Sequence, residues 1–151
     1  MIADLHRRPA HLIRRTHQFA WALFLEECAG FNITPVQYAA LFAIGETPGI
    51  DATRLCGLIA FDRSTIGNVL ERLEKRKLIV RKPSLDDRRQ KLITLSPEGA
   101  LVLEKVEPFV TRVQERLLES LDQQEKALFL SFLFRITGTD GTTGEAATAE
   151  S

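Results

Sequence analysis

The chain has 151 residues, 44% of them hydrophobic, enough to bury a core and too few to suggest a second independent domain. Its formal net charge is zero, so the chain as a whole implies no strongly charged partner. It has no apolar run of membrane-spanning length, its start MIADLHRRPAH lacks a signal-peptide core, and its two cysteines form no disulfide or metal framework, so a cytoplasmic protein is expected.

In chain order, the first helix is expected from about Pro9 to Cys28. Leu12, Phe19 and Leu23 form one apolar stripe; His17, Trp21, Phe24 and Cys28 form another on roughly the opposite side. A helix apolar on both sides demands two burial surfaces. His6, His11 and His17 are five and six residues apart, which does not place them on one helix face for a metal. Thr34, Pro35 and Gln37 signal the start of a second helix, which the segment Gly45 to Gly49 is expected to break. A short third helix is expected from Asp51 to Ala60.

Asp62 then caps a fourth helix, FDRSTIGNVLERLEKRK. At about 100° per residue, Ile66, Val69, Leu70 and Leu73 form one buried stripe. Ser64, Asn68, Glu71 and Lys75 fall on the opposite face, with Gly67 and Arg72 at its margins. Short hydrogen-bonding groups therefore precede cations along the helix. That order suits a helix entering a major groove N-terminus first, with Ser64, Thr65 and Asn68 nearest base edges and Arg72 and Lys75 nearest phosphates. Two β-branched runs follow, Leu78 to Lys82 and Lys91 to Leu95, joined by a polar loop whose tip carries Asp87, Arg88 and Arg89. Adjacent arginines at an exposed tip can reach a phosphate backbone or a narrow minor groove. From Arg63 to Lys91 there are 10 Lys or Arg against 4 Asp or Glu, a local excess inside a neutral chain.

Ser96 and Pro97 begin a long helix to about Leu121, and Asp122 with Glu125 forms a capping box for a last helix through Phe134. That last helix carries Leu128, Phe129, Leu130, Phe132, Leu133 and Phe134, leaving little polar surface, so it too needs a partner to cover it. The segment TGTDGTTGEAATAES has no large apolar residue, and residues 138–151 are expected to be a disordered tail. The chain has no Gly-rich phosphate loop, nucleophile elbow or paired-carboxylate signature, so no catalytic residue, cofactor or metal is expected and the protein is read as a non-enzyme.

The pieces STIGNVLERLEKR and DDRRQKLITLSPEG, in that order and spacing, resemble the recognition helix, wing tip and return strand of the multiple antibiotic resistance regulator (MarR) family. The resemblance implies a winged helix-turn-helix, mainly α with a small β wing, in the order α1-α2-α3-α4-β-β-α5-α6. It implies a single domain over residues 1–137, with a DNA-binding lobe at about 48–99 and a dimerisation lobe at about 8–33 and 100–137. Its wing motif, Asp, any residue, Arg, implies that Asp87 orients Arg89 as a minor-groove probe beside Arg88. Arg63, Ser64, Thr65, Asn68, Arg72 and Lys75 complete the expected DNA-binding set. Lys77 stands where the family usually has Gly, so a left-handed backbone there carries a cost of about 1 kcal/mol. Ser96 stands where Thr is common.

The resemblance further implies a homodimer on a pseudo-palindromic operator, its half-sites about one helical turn apart, acting as a repressor. RPAHLIRRTHQ, residues 8–18, resembles the start of members that control breakdown of aromatic carboxylates. Arg14, Arg15 and His17 offer cations, and Phe19 and Trp21 aromatic surface, for such an effector. Two alternatives stay open: a regulator that senses oxidants through Cys28, which its neighbours Glu26 and Glu27 disfavour, and a winged-helix module that binds protein.

Overall fold

The computed structural model describes residues 1–139, and most of the expected tail, from residue 140 on, lies outside the described residues. A single helical turn, Ile2–Leu5, precedes α1 (Pro9–Glu27), a 3-10 turn (Ala29–Phe31), α2 (Pro35–Glu46), α3 (Ala52–Ile59), α4 (Arg63–Lys75), β1 (Ile79–Pro83), β2 (Lys91–Leu95), α5 (Pro97–Leu117) and α6 (Gln123–Thr137). The chain divides into two compact units, one ending at Gln114 and one beginning at Glu115.

Helix starts are set by local chemistry. Thr34 Oγ1 accepts from the Gln37 N–H at 3.2 Å while Gln37 Oε1 accepts from the Thr34 N–H at 3.0 Å, closing a capping box ahead of Pro35. Asp51 caps α3 through the Arg54 N–H, and Asp62 caps α4 through the Thr65 N–H. Asp122 and Glu125 form the same reciprocal box at α6. The first three of these starts surround one core, in which Leu41, Ile44, Ile50, Leu55, Ile66, Leu70, Leu73 and Ile93 are almost fully buried. The predicted α4 stripe of Ile66, Val69, Leu70 and Leu73 faces that core.

Several boundaries differ from the sequence reading, the last helix among them, which runs on to Thr137. Gly45 lies inside α2, not in a break, and the space where a Cβ would sit is bounded by the tips of the Leu103 and Leu95 side chains at 3.2 Å. The helix ends at Glu46, within the expected segment, and the turn after it passes through Gly49 at φ +82°. β1 begins at Ile79 instead of Leu78, because the Leu78 N–H bonds back to the Leu73 carbonyl at 3.0 Å and that of Lys77 to Glu74 at 2.9 Å. Those two bonds are a Schellman closure of α4, with Lys77 in the left-handed position at φ 59°. α5 ends at Leu117, four residues before Leu121.

β1 and β2 pair antiparallel with Ile79 opposite Leu95 and Pro83 opposite Lys91. Ile50 adds an isolated bridge to Ile93, so the chain just before α3 is stitched to the return strand of the wing. The far end of the wing strands is joined to α5 by Ser96, whose Oγ donates to the Lys77 carbonyl at 2.6 Å and accepts from the Gly99 N–H at 2.9 Å. A Cβ on Gly99 would lie 1.9 Å from the Leu78 carbonyl oxygen. On the other side of the first unit, Phe31 meets Phe109 edge-on, and Arg112 spans from the Phe109 ring to the Glu27 carboxylate at 3.0 Å.

In the second unit, α6 buries none of its residues, and Leu128, Leu130, Phe132, Phe134 and Ile136 are 41–70% exposed.

Urea unfolding should separate two kinds of backbone constraint. Gly99→Ala is expected to cost about 3 kcal/mol or more because the clash is with backbone. Lys77→Gly should stabilise by about 1 kcal/mol by relieving the left-handed residue. A tolerated Gly99→Ala would contradict the close approach.

Candidate nucleic-acid interface

α4 presents Arg63, Ser64, Asn68, Arg72 and Lys75 to solvent, and Thr65 is half-buried. Asp62 controls the first turn twice over: one carboxylate oxygen accepts from the Thr65 N–H at 2.8 Å and the other from the Thr65 hydroxyl at 2.6 Å. Thr65 thus spends its hydroxyl proton on Asp62 and retains lone pairs as acceptors. The same hydrogen bonds hold the Asp62 carboxyl below its ordinary pKa. Arg63 Nη1 donates to Thr53 Oγ1 at 2.7 Å, tying the start of α4 to α3. Further along, Lys75 pairs with Glu71 one turn back at 2.8 Å, an exposed pair that contributes little to stability.

The wing tip is built around Asp87. Its Oδ1 accepts from the Arg89 N–H at 3.0 Å and from Arg89 Nε at 3.2 Å, so one carboxylate oxygen holds both backbone and guanidinium of a nearly fully exposed arginine. Ser84, buried, receives a bond from Asp86 N and donates its own N–H to the Gln90 carbonyl at 2.8 Å, closing the base of the loop. Arg88 and Leu85 are exposed at the tip. Nearer the strands, Arg81 is engaged by the Glu74 carboxylate, which the arginine holds below its ordinary pKa.

Several contacts escaped sequence reasoning. Gln90 Nε2 donates to Asp51 Oδ2 at 3.0 Å, while Asp51 Oδ1 caps α3. One aspartate therefore fixes both a helix start and the wing. Arg63, Arg81, Arg89 and Lys91 gather with Thr53 around a hollow of about 220 Å³ between α3, the start of α4 and the wing. The signal available in sequence was the excess of basic residues from Arg63 to Lys91; their convergence depends on pairs far apart in the chain.

The residues proposed for an effector are less concentrated. Arg14, Arg15, His17 and Phe19 are exposed along α1, Arg15 Nη1 lies 3.3 Å from His6 Nδ1, and the His17 ring lies 5.9 Å from the half-buried Trp21 ring. Trp21 lines a second hollow of about 230 Å³, with Val36, Thr65, Asn68 and Arg72. Cys28 is 1% exposed, and burial together with Glu27 pushes its thiol pKa up, away from the thiolate that oxidant sensing requires. Among the described residues no group of three or more His, Cys, Asp or Glu is placed to hold a metal, and no helix is long and apolar enough to cross a membrane.

Residues 31–90 match the model of the MarR family. A probable transcriptional regulator from Pseudomonas aeruginosa is 36% identical, with a TM-score of 0.84 over 87% of this chain and 98% of that one. BpsR of Bordetella bronchiseptica, whose DNA binding is regulated by 6-hydroxynicotinic acid, is 27% identical, with a TM-score of 0.84 over 89% of this chain and 96% of its own. The HTH-type transcriptional repressor NicR of Pseudomonas putida is 27% identical over 141 residues, 93% of this chain and 89% of NicR.

The wing geometry yields a test. Arg89→Ala should weaken binding to duplex DNA by about 1–3 kcal/mol with folding unchanged. Asp87→Ala should also weaken it, although a negative charge is removed, because Arg89 loses its support. Fluorescence anisotropy would decide, and tighter binding by Asp87→Ala would refute the orienting role.

Proposed function

The chain belongs to the MarR family, and from that premise we propose that it is a dimeric, DNA-binding transcriptional repressor released from its operator by a small aromatic acid. The observation that carries the DNA reading is the hollow where Arg63 of α4, Arg89 and Lys91 of the wing and Thr53 of α3 converge. Arg63, Arg89 and Lys91 come from separate elements around one opening, beside Asp51 and the Arg81 that Glu74 neutralises, and such a convergence of cations suits phosphate contacts. Ser64, Thr65 and Asn68 then meet base edges in the major groove, Arg72 and Lys75 meet phosphates, and Arg89, held by Asp87 and flanked by Arg88, enters the minor groove. A role at DNA places the protein in the cytoplasm, and binding and release need no catalytic group.

Dimerisation follows from surface that one chain leaves uncovered. On α1, Leu12, Ile13 and Phe19 are about half exposed, and α6 exposes an apolar row from Leu128 to Ile136. Packing these helices against a second copy removes that surface from water and sets two recognition helices on a two-fold axis.

Regulation by an acid is supported by BpsR, whose DNA binding responds to 6-hydroxynicotinic acid, and by the hollow that joins Trp21 to Thr65, Asn68 and Arg72. An aromatic ring against Trp21 would sit one side chain away from the base-reading residues, with Arg14, Arg15, His17 and Phe19 of α1 as the candidates for its remaining contacts and Arg15 first among them for the carboxylate. Occupancy then favours a dimer whose recognition helices no longer match the half-site spacing. The alternative of oxidant sensing at Cys28 is opposed by the burial of its thiol.

On the DNA side, Asn68→Ala should change which operator sequences are preferred, whereas Lys75→Ala should weaken all sequences alike and make the salt dependence shallower by about one unit of slope. Equal losses on operator and random duplex for Asn68→Ala would reduce that residue to a backbone contact.

On the effector side, a panel of benzoate-like, hydroxycinnamate-like and pyridine carboxylates titrated into the protein–operator complex should contain at least one that releases the DNA. Arg15→Ala and His17→Ala should blunt that response. Release undiminished in both variants would move the effector's seat elsewhere.

A further inference from the structure

A hollow of about 500 Å³ lies where the end of α1, the following 3-10 turn and the start of α2 face the last turn of α4. The α1 side supplies apolar surface from Leu25, Cys28 and Ile33; the α4 side supplies Arg72, Lys75 and Arg76. Its lining contains three cations and no carboxylate. Lys75 is paired with Glu71, which stands outside the lining. Arg76 donates to the Asn32 carbonyl at 2.6 Å and to the Phe31 carbonyl at 3.2 Å. Those acceptors take two of its five N–H donors, and neither carries a charge. A carboxylate is the better partner, since it adds the attraction of opposite charges that a carbonyl lacks, and Arg takes carboxylates in a two-pronged geometry.

We propose that this hollow is a second binding site, separate from the effector seat on the N-terminal part of α1, that takes an organic carboxylate with an apolar body and opposes DNA binding. The carboxylate engages Arg76 and Arg72, and the apolar body lies on Leu25 and Ile33. Two consequences follow. Arg76 is drawn off the carbonyls at the end of the 3-10 turn, where Asn32 is held in a left-handed conformation, so the last turn of α4 loses a link to the segment 44 residues before it. Arg72 and Lys75 are occupied in the same event. The antagonism rests on the reading above that these two side chains meet DNA phosphates, and linkage makes it reciprocal: DNA must weaken the acid by the factor by which the acid weakens DNA.

The test uses the full chain with benzoate, inorganic phosphate and benzamide as probes, which carry charge with ring, charge alone and ring alone. The background is Arg15→Ala, so that the first seat is disabled. There, benzoate should still bind by calorimetry and still weaken DNA binding, with phosphate and benzamide at least tenfold poorer. Adding Arg76→Gln should reduce benzoate affinity at least tenfold. Leu25→Glu, at a half-exposed position that tolerates a polar group, should do the same by placing a carboxylate inside the hollow. If Arg15→Ala abolishes all benzoate binding, or Arg76→Gln and Leu25→Glu leave it unchanged, the second site is refuted and the first seat stands. If phosphate binds as well as benzoate, the hollow is a plain anion cluster and the proposed ligand class is wrong. If the acid binds in the Arg15→Ala background without weakening DNA, the antagonism fails while the DNA reading survives.

Discussion

The DNA-facing surface depends on one corner, where α4 ends and α5 begins. Ser96 closes it. Its hydroxyl donates to the Lys77 carbonyl, its own N–H donates to the Leu78 carbonyl at 3.0 Å, and the Gly99 N–H returns to its oxygen. The residue that caps α5 therefore also satisfies the carbonyls of the two residues whose N–H groups make the Schellman closure of α4. Because β1 leaves the corner and β2 returns to it, the same four residues set the wing at a fixed angle to the recognition helix. Gly99 is required there by distance, since any side chain would collide with the Leu78 backbone.

From that corner outward, positional control passes to side chains. The base of the wing is tied to α4 by Glu74 and Arg81, and its loop is tied to α3 by Gln90 and Asp51. Asp51 is well suited to the task because its carboxylate has two oxygens, and the cap on α3 uses one. Its bonds, the backbone N–H of Arg54 foremost, hold its carboxyl below the ordinary pKa, so it stays an acceptor across the neutral range. The basic excess is consequently graded. Arg81 is neutralised near the strands, Lys75 is paired on the helix, and Arg89 is oriented by Asp87 but remains exposed. Charge is left free at the outer rim, where a polyanion would arrive.

The elements that were legible in sequence are those decided within one helical turn or one strand pair. Thr34 with Gln37, Asp122 with Glu125, and the caps Asp51 and Asp62 announce helix starts because donor and acceptor are three residues apart. The α4 stripe is legible for the same reason, as periodicity is local. Leu78 and Gly45 were misjudged at the ends of elements: the Leu78 N–H is claimed by the end of α4, and Gly45 continues α2 beside the tips of Leu103 and Leu95. The pairs Gln90–Asp51, Arg63–Thr53 and Arg76–Asn32 span 39, 10 and 44 residues, and neither composition nor period encodes them. The motif Asp87, Arg88, Arg89 was readable as a unit because its hydrogen bonds span only two residues.

Arg72 shows how binding and release can share parts. It lines the hollow with Trp21 and Asn68 on one side and the hollow with Arg76 and Leu25 on the other, on the margin of the face that α4 offers to DNA. A guanidinium can satisfy one anion in a two-pronged geometry at a time. In the proposed scheme a phosphate outside and the carboxylate in the hollow with Arg76 therefore compete for the same side chain, and that competition needs no pathway through the core. What a conformational route adds is reach to the second recognition helix of a dimer, because the uncovered apolar surface of α1 and α6 is where two copies would meet. In that scheme direct competition at Arg72 would set the local response, and a dimer would turn it into loss of both half-sites together.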